Sequence, residues 1–330
     1  MIQPYVFSSC TSLTNVDIPT GVTSIADGAF SNCTNLANLI IPDGVISIEY
    51  HAFDNCGSLT NVNIPNTVNT LGYSVFANCT KLTSVTIPNS VGNLGGGAFF
   101  YCTGLTNVTI GNSVNALADS TFAYCSNLTT ITIPAGVTAM GYWVFRSCVR
   151  LTNIVVDPAN PAYSSSNGVL FDKNQTTLVQ FPAGRGGSYV IPSSVQTLRG
   201  YAFDRGSHVG GVTVPNSVIT IEPFVFFDCP GLTNATIGNS VLDLVDGAFS
   251  GCTNLASVAI GSSVFHIGAF PGCTSLTNIV VDPANAVYSS SNGVLFDKSQ
   301  TGLIQAPPGL GGNYAVPDGV IAIGGYSFSG

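Results

Sequence analysis

Charge is what this sequence has least of. Only 7% of its 330 residues are Asp, Glu, Lys or Arg, and 8 basic residues face 16 acidic ones, for a net charge of −8. A chain so poor in cations lacks the positive field that nucleic acid binding requires, so that class is excluded. No Cys-x-x-Cys or His-x-x-x-His spacing occurs, and the three histidines, His51, His208 and His266, stand in separate parts of the chain. The G-x-S-x-G, P-loop, H-E-x-x-H and calcium-loop patterns are missing too. These absences leave no starting point for nucleophilic, phosphoryl-transfer or metal-assisted chemistry, and predict no cofactor, no metal and no enzymatic role. There is no run of 18 apolar residues, so no helix is expected to span a membrane. The opening MIQPYVFSSC shows neither the charged n-region nor the apolar h-region of a signal peptide.

What is present is a period. Cys10, Cys33, Cys56, Cys79, Cys102, Cys125 and Cys148 each stand 23 residues from the next. Self-similarity between about 20 and 50 residues marks solenoids, propellers and arrays, and 23 falls inside the leucine-rich-repeat range. The aligned copies read C-x-x-L-x-x-V-x-I-P-x-x-V-x-x-I/L-x-x-x-A/V-F-x-x, as in Cys56, Leu59, Val62, Ile64, Pro65, Val68, Leu71, Val75 and Phe76. Helical spacing is absent from it. V-x-I has the period of a strand, and the Pro or Gly that follows, with Asn-Ser or Asp-Gly, marks a turn. Each copy therefore predicts a strand, a turn, a second extended run through V-x-x-I, and a corner at A-F.

A single unit of this kind cannot bury its own apolar side, so successive units must stack, with edge strands bonded at about 4.8 Å. Stacking predicts a phenylalanine column through Phe30, Phe53, Phe76, Phe99, Phe122, Phe145, Phe203, Phe226, Phe249 and Phe270. It also predicts a structural ladder of buried, unreactive thiols at Cys33, Cys56, Cys79, Cys102, Cys125 and Cys148, each filling a corner and reaching a backbone group. Parallel Cβ vectors in such a ladder disfavour disulfides.

The period is interrupted twice. The stretch 151 to 195 runs 12 residues longer than a standard unit, and the same module returns 125 positions later, at 276 to 320. Within it, G-V-L-F-D, K-N-Q-T and T-L-V-Q-F predict a hairpin, and Asx turns account for Asp157, Asn160, Asp282 and Asn285. Smaller breaks are Gly206, standing where a cysteine is due, and the interval of 21 between Cys252 and Cys273, where HIGAF shortens a corner. The expected organisation is one solenoid over residues 1–330: regular coils over 1–150, a long hairpin-bearing coil over 151–195, regular to slightly irregular coils over 196–275, and a second long coil with a truncated last coil over 276–330. The chain opens inside a repeat, at Tyr5, Val6, Phe7 and Cys10, and closes at Ser327, Phe328, Ser329 and Gly330, as would a segment of a longer array or an array whose ends meet another chain.

The units L-T-x-V-x-I-P, V-x-x-I-G and A-F-x-x-C, with the D-P-A-N-x-x-Y-S-S-x-x-G-V-L-F-D-K module, resemble the BspA-like, or treponemal-type, leucine-rich repeat over essentially the whole chain. The resemblance implies a β-rich solenoid: a right-handed, curved array of about 11 coils of 23 residues with two longer hairpin-bearing coils. It further implies a secreted or cell-surface parent protein, bacterial or protist, that adheres to host or matrix proteins.

In such solenoids the positions flanking the inward residues of the V-x-I strand face outward on the concave side. Here they make a candidate binding surface of Asn61, Asn63, Ser84, Thr86, Asn107, Thr109, Thr130 and Thr132, uncharged and rich in hydroxyls and amides. It suits a protein or glycan partner. A candidate basic patch gathers Arg146, Arg150, Lys173, Arg185, Arg199 and Arg205, six of the eight cations, around the first long coil. Tyr50, Tyr73 and Tyr142 recur at equivalent positions beside Trp143, with Tyr101 one copy before Tyr124, and predict edge packing or sugar stacking. The function expected is a non-enzymatic interaction or adhesion scaffold. The alternative is a self-assembling structural repeat protein, whose exposed strand edges would associate end to end.

Overall fold

A computed structural model of the protein describes residues 1–268, 270–325 and 327–328. The described residues form a β-solenoid of about 13 turns without a helix, in agreement with the regular and longer coils expected together. Ala269 of the shortened corner and the closing Ser329 and Gly330 lie outside the described residues. The chain divides into two compact units, Met1–Lys173 and Asn174–Gly330.

In the first unit each regular turn contributes two short strands. The first carries the V-x-I pattern: Asn15–Asp17, Asn38–Ile40, Asn61–Asn63, Ser84–Ile87 and Asn107–Ile110 make one parallel sheet. Ser24–Ile25, Ser47–Ile48, Thr70–Leu71 and Asn93–Leu94 make a second. Pairing follows the sequence period, as in Val62 opposite Val85 and Val85 opposite Val108. The alternation is the cause: in Ser84–Ile87 the valine and isoleucine are buried while Ser84 and Thr86 are exposed, and a slip of one residue would exchange the two faces.

The corner between turns is built from left-handed backbone. The residue before each cysteine has positive φ, whether Asn32, Asn55, Asn78, Tyr101, Tyr124 or Ser147, and so has the residue five before it, including His51, Ser74, Ser120 and Trp143. These conformations turn alternate amides toward the next turn: His51 N donates to Tyr73 O (2.9 Å), Phe53 N to Val75 O (2.9 Å) and Asn55 N to Ala77 O (2.8 Å). The amides between them close locally, as Ala52 N does onto Glu49 O. Backbone that cannot form a strand is thereby still paired between turns.

Inside the corner runs the phenylalanine column. Phe30, Phe53, Phe76, Phe99 and Phe122 are fully buried. Neighbouring rings stack with centroids 5.3–5.7 Å apart and planes within 12°. Phe7 extends the column at its start, 5.0 Å from Phe30. In the second unit Phe203, Phe226, Phe249 and Phe270 continue the pattern, and Phe181 joins it 4.8 Å from Phe203.

The second unit repeats the plan with one defect. Gly187–Val190, Val209–Thr213, Asn234–Thr236, Ser257–Ile260 and Asn278–Val281 form its main parallel sheet. The register shifts between Gly187 and Ser188, so that Gly210 is the extra residue of a bulge. Gly206, in the cysteine's place, keeps the backbone bond to Phe203 O (3.0 Å). The buried Val209 takes up the space, with Cγ1 2.9 Å from where a Cβ on Gly206 would stand.

The longer modules hold a hairpin the residue pattern did not announce. Tyr163–Ser166 pairs antiparallel with Val169–Asp172, and Tyr288–Ser291 with Val294–Asp297. Asn167 (φ 49°) and Gly168 (φ 77°) make the two-residue link, as Asn292 and Gly293 do in the second copy. The hairpin expected one strand later also forms in the second module, where Val294–Asp297 pairs with Gly302–Gln305. The Asp-Pro-Ala-Asn turns are Asx turns that also anchor the module. Asp157 accepts from Ala159 N (2.8 Å). The buried Asn160 accepts from Ala162 N and Tyr163 N and donates to Pro134 O and Val137 O of the preceding turn, all at 2.8–2.9 Å. Asn285 repeats the arrangement with Gly261 O and Val264 O.

Truncating one ring of the column opens a cavity that two neighbouring turns cannot close. Phe99→Ala is therefore expected to cost about 3–5 kcal/mol, read as a lowered urea midpoint. The exposed Thr86→Ala serves as the control and should stay within about 0.5 kcal/mol.

Candidate binding surface

Parallel pairing in unbroken register turns the exposed positions of successive strands into files. Asn61 lies opposite Ser84 and Ser84 opposite Asn107, while Asn63 lies opposite Thr86 and Thr86 opposite Thr109. Thr130 and Thr132 hold the same positions in the strand Thr130–Ile133, which continues the pattern to Asn153 and Val155. All eight candidate residues are exposed, and steps along each file are about 4.8 Å. Beside these files runs one of threonines whose hydroxyls are already committed: Thr83 Oγ1 donates to Thr60 O (3.3 Å), Thr106 Oγ1 to Thr83 O (3.1 Å) and Thr152 Oγ1 to Thr129 O (3.3 Å). At the other end of the strands, Asn63, Thr86 and Thr109 line an open groove with Asn66, Asn89 and Asn112. Asn89 shapes its rim by accepting from Asn112 N (2.8 Å). Nothing lining this groove is ionisable, so its hydrogen-bonding character does not change with pH.

The candidate basic residues fall in both units: Arg146, Arg150 and Lys173 in the first, Arg185, Arg199 and Arg205 in the second. Several are engaged locally. Arg150 Nη1 donates to Asn127 Oδ1 (3.1 Å), and the Arg146 guanidinium lies 5.9 Å from the Trp143 ring centre. Arg205 Nε stands 3.3 Å from Asp228 Oδ2. Lys173 Nζ clasps the Asp-Pro-Ala-Asn turn through Pro158 O (3.2 Å) and Asn160 O (2.5 Å), as Lys298 Nζ does through Pro283 O (2.8 Å). This clasp is a structural role for Lys173 that its charge alone did not reveal.

The histidines are not assembled with one another. His51 Nδ1 is 3.5 Å from Asp54, His266 Nδ1 is 2.7 Å from Asp243, and His208 Nδ1 is 2.9 Å from Ser207 Oγ. Among the described residues no three His, Cys, Asp or Glu side chains are grouped to hold a metal ion, and no helix is long and apolar enough to cross a membrane.

The cysteine ladder has one repeated contact. Each buried thiol donates to the carbonyl of the column phenylalanine of the preceding turn: Cys56 to Phe30 O (3.2 Å), Cys79 to Phe53 O (3.3 Å), Cys102 to Phe76 O (3.1 Å), Cys125 to Phe99 O (3.3 Å) and Cys148 to Phe122 O (3.2 Å). Cys33 does the same with Phe7 O (3.0 Å). All ten cysteines are free thiols. Burial disfavours the thiolate and pushes Cys56, Cys102 and Cys148 up to about 12, and Cys79 and Cys125 well above the ordinary value.

The in-register V-x-I strands and the Phe–Cys corner are what one repeat family describes. A family model for the BspA type leucine rich repeat region, in six copies, matches residues 1–128, 47–177 and 187–294, most of the chain. The protein belongs to the BspA-type leucine-rich repeat family. The family model describes a repeat region and not a catalytic domain. This BspA-type chain is similar to a leucine rich cell surface protein from Faecalibacterium prausnitzii, at 29% identity and a TM-score of 0.62, over 82% of this chain and 88% of that one. It is also similar to a leucine-rich repeat protein from Bacteroides ovatus, at 25% identity and a TM-score of 0.64, over 85% and 70%. The pneumococcal vaccine antigen PcpA shares the fold, at 23% identity and a TM-score of 0.65, over 83% of this chain and 63% of that one. No curated protein matches the sequence.

In the native BspA-type chain, alkylation near neutral pH is expected to label Cys10, the exposed thiol, and to spare the other nine until denaturant is added; mass spectrometry counts the adducts. Because the folded thiols titrate above the unfolded ones, their contribution to stability is fully present below pH 9.0 and is lost as pH rises toward about 12. Thermal midpoints should fall across that window.

Proposed function

We propose that this chain is a non-enzymatic interaction scaffold of a cell-surface protein, and that a partner protein lies along the files Asn61, Ser84, Asn107, Thr130 and Asn63, Thr86, Thr109, Thr132. The observation that carries the reading is the exposed, uncharged face itself: short hydroxyl and amide side chains repeated once per turn on strands whose parallel pairing keeps them in line. Such a face is costly to desolvate unless each group finds a partner, so it favours a ligand that also presents donors and acceptors at strand-like intervals. An extended polypeptide does so. No aromatic ring stands among the eight residues, so the face offers hydrogen bonds without stacking. The placement at a cell surface is supported by the leucine rich cell surface protein to which the chain is similar.

The test is binding of the full chain to immobilised extracellular-matrix proteins by biolayer interferometry. The native chain should retain at least one of them. Thr109→Lys with Thr132→Lys puts two cations on the face and should weaken that binding by roughly tenfold or more, about 1.4 kcal/mol, with the melting temperature unchanged. Equal binding by the double variant, or no binding by the native chain, would sink the reading.

A further inference from the structure

The first unit carries a second surface of different chemistry, at the corner that follows the second strand of each turn. Among the described residues, four aromatic side chains outside the phenylalanine column share one arrangement: each ring lies over a glycine one turn later. The places where a Cβ would stand on Gly28 and Gly247 are taken by the rings of Tyr5 and Phe224. A Cβ on Gly72 would stand 2.8 Å from Tyr50 Cδ1, and one on Gly96 would stand 3.4 Å from both Cδ2 and Cε2 of Tyr73. Backbone bared by glycine is a surface that a ring can cover.

Tyr50 and Tyr73 differ from the other two rings in what surrounds them. They stand one turn apart and together line an open groove with Gly95, Gly96, Asn93 and Asn115. Tyr50 is 56% exposed and Tyr73 53%, so the faces turned from the glycines are open to solvent. His51 packs edgewise on Tyr73 at 5.6 Å and holds it in place. Asn93 and Asn115 are exposed, and among the described residues neither side-chain amide has a hydrogen-bond partner. No Asp, Glu, Lys, Arg or His lines the groove.

We infer that this groove binds a neutral, β-linked oligosaccharide. A pyranose presents an apolar face of C–H bonds that stacks on an aromatic ring, and a rim of hydroxyls that both donate and accept, which is what a side-chain amide matches. The absence of ionised groups disfavours an anionic sugar, whose charge would find no partner there. The backbone carrying the two tyrosines advances by one turn, about 4.8 Å, between them, and the two rings make no contact with each other, which leaves each to take a separate sugar of one extended β-linked chain. Consecutive sugars would thus rest on Tyr50 and Tyr73, with their hydroxyls reaching Asn93 and Asn115. The inference stands apart from the strand-face reading, because the two sites lie on different strands of each turn and use different residues.

Titration of the full chain with cellohexaose and with N-acetylchitohexaose, followed by saturation-transfer NMR and calorimetry, tests it, with maltohexaose as the α-linked comparison. One of the two β-linked sugars should bind, with contacts to tyrosine ring protons. Tyr73→Ala should weaken binding by roughly tenfold, the scale of one lost ring contact, while Tyr73→Phe keeps the stacking face and stays within about threefold. Thr109→Lys with Thr132→Lys should leave sugar binding unchanged, which separates this site from the strand face. No binding of either sugar at about 10 mM, well above a millimolar Kd, overturns the inference. Binding that survives Tyr50→Ala with Tyr73→Ala overturns it equally; both side chains are exposed, so an unchanged melting temperature confirms that the variants fold.

Discussion

A buried peptide group without a partner costs more than most side-chain contacts return, and in this chain the partner is either one turn away or, at alternate corner amides, three residues back. Strand amides find the next strand in register, and corner amides, turned by left-handed residues, find a carbonyl about 22 positions on, as Phe30 N finds Ala52 O. Even the thiols obey the constraint, because each buried cysteine donates to the preceding turn, adding a second bond to a carbonyl that already accepts a backbone amide. Core residues are set by the same requirement: a side chain that must rest on its counterpart is confined to a shape that stacks on itself, hence the flat rings at Phe53 and Phe76.

The surface follows from the core. Because inward residues repeat, the outward ones repeat as well, and short polar side chains such as Thr86 and Thr109 become files without any contact between them that would place them there. A departure from the period therefore reads as an irregularity in an otherwise uniform lattice. Gly206 with the bulge at Gly210 is one such place, and the filling of the lost thiol's volume by Val209 shows how the stack tolerates it. Gly96, which leaves Tyr73 room to lean over the next turn, is another.

Much of this was legible in the residues. The spacing of the cysteines and the V-x-I alternation set the turn, the register and the phenylalanine column, since those depend on burial, which sequence pattern reports directly. The hairpin at Asn167 and Gly168 was harder to read: its first strand, Tyr163–Ser166, is serine-rich and half-buried throughout, so it lacks the alternation that marks a strand, although the Asn-Gly pair was there to be noticed. The left-handed corner was signalled only in part, by Asn32, Asn55, Asn78, Gly28 and Gly97, because in other turns Tyr101, Tyr124, His51 and Trp143 occupy the same positions. The pairing of Tyr50 with Gly72 and of Tyr73 with Gly96 joins residues in successive turns, and becomes visible only when one turn is laid upon the next. The local engagement of Lys173 and Arg205 likewise depends on carbonyls and carboxylates that composition does not place.

The buried Asn160 has a bearing on how such a chain can vary. Its amide nitrogen donates both hydrogens to the preceding turn, at Pro134 and Val137, while its oxygen accepts from Ala162 and Tyr163 inside the module, and Asn285 does the same at Gly261 and Val264. What the module needs from the rest of the array is therefore two main-chain oxygens, which any regular repeat supplies whatever its side chains. An insertion anchored in this way is portable: it can be copied to another level of the stack, as the recurrence at 276 to 320 attests, without rewriting the repeat that receives it.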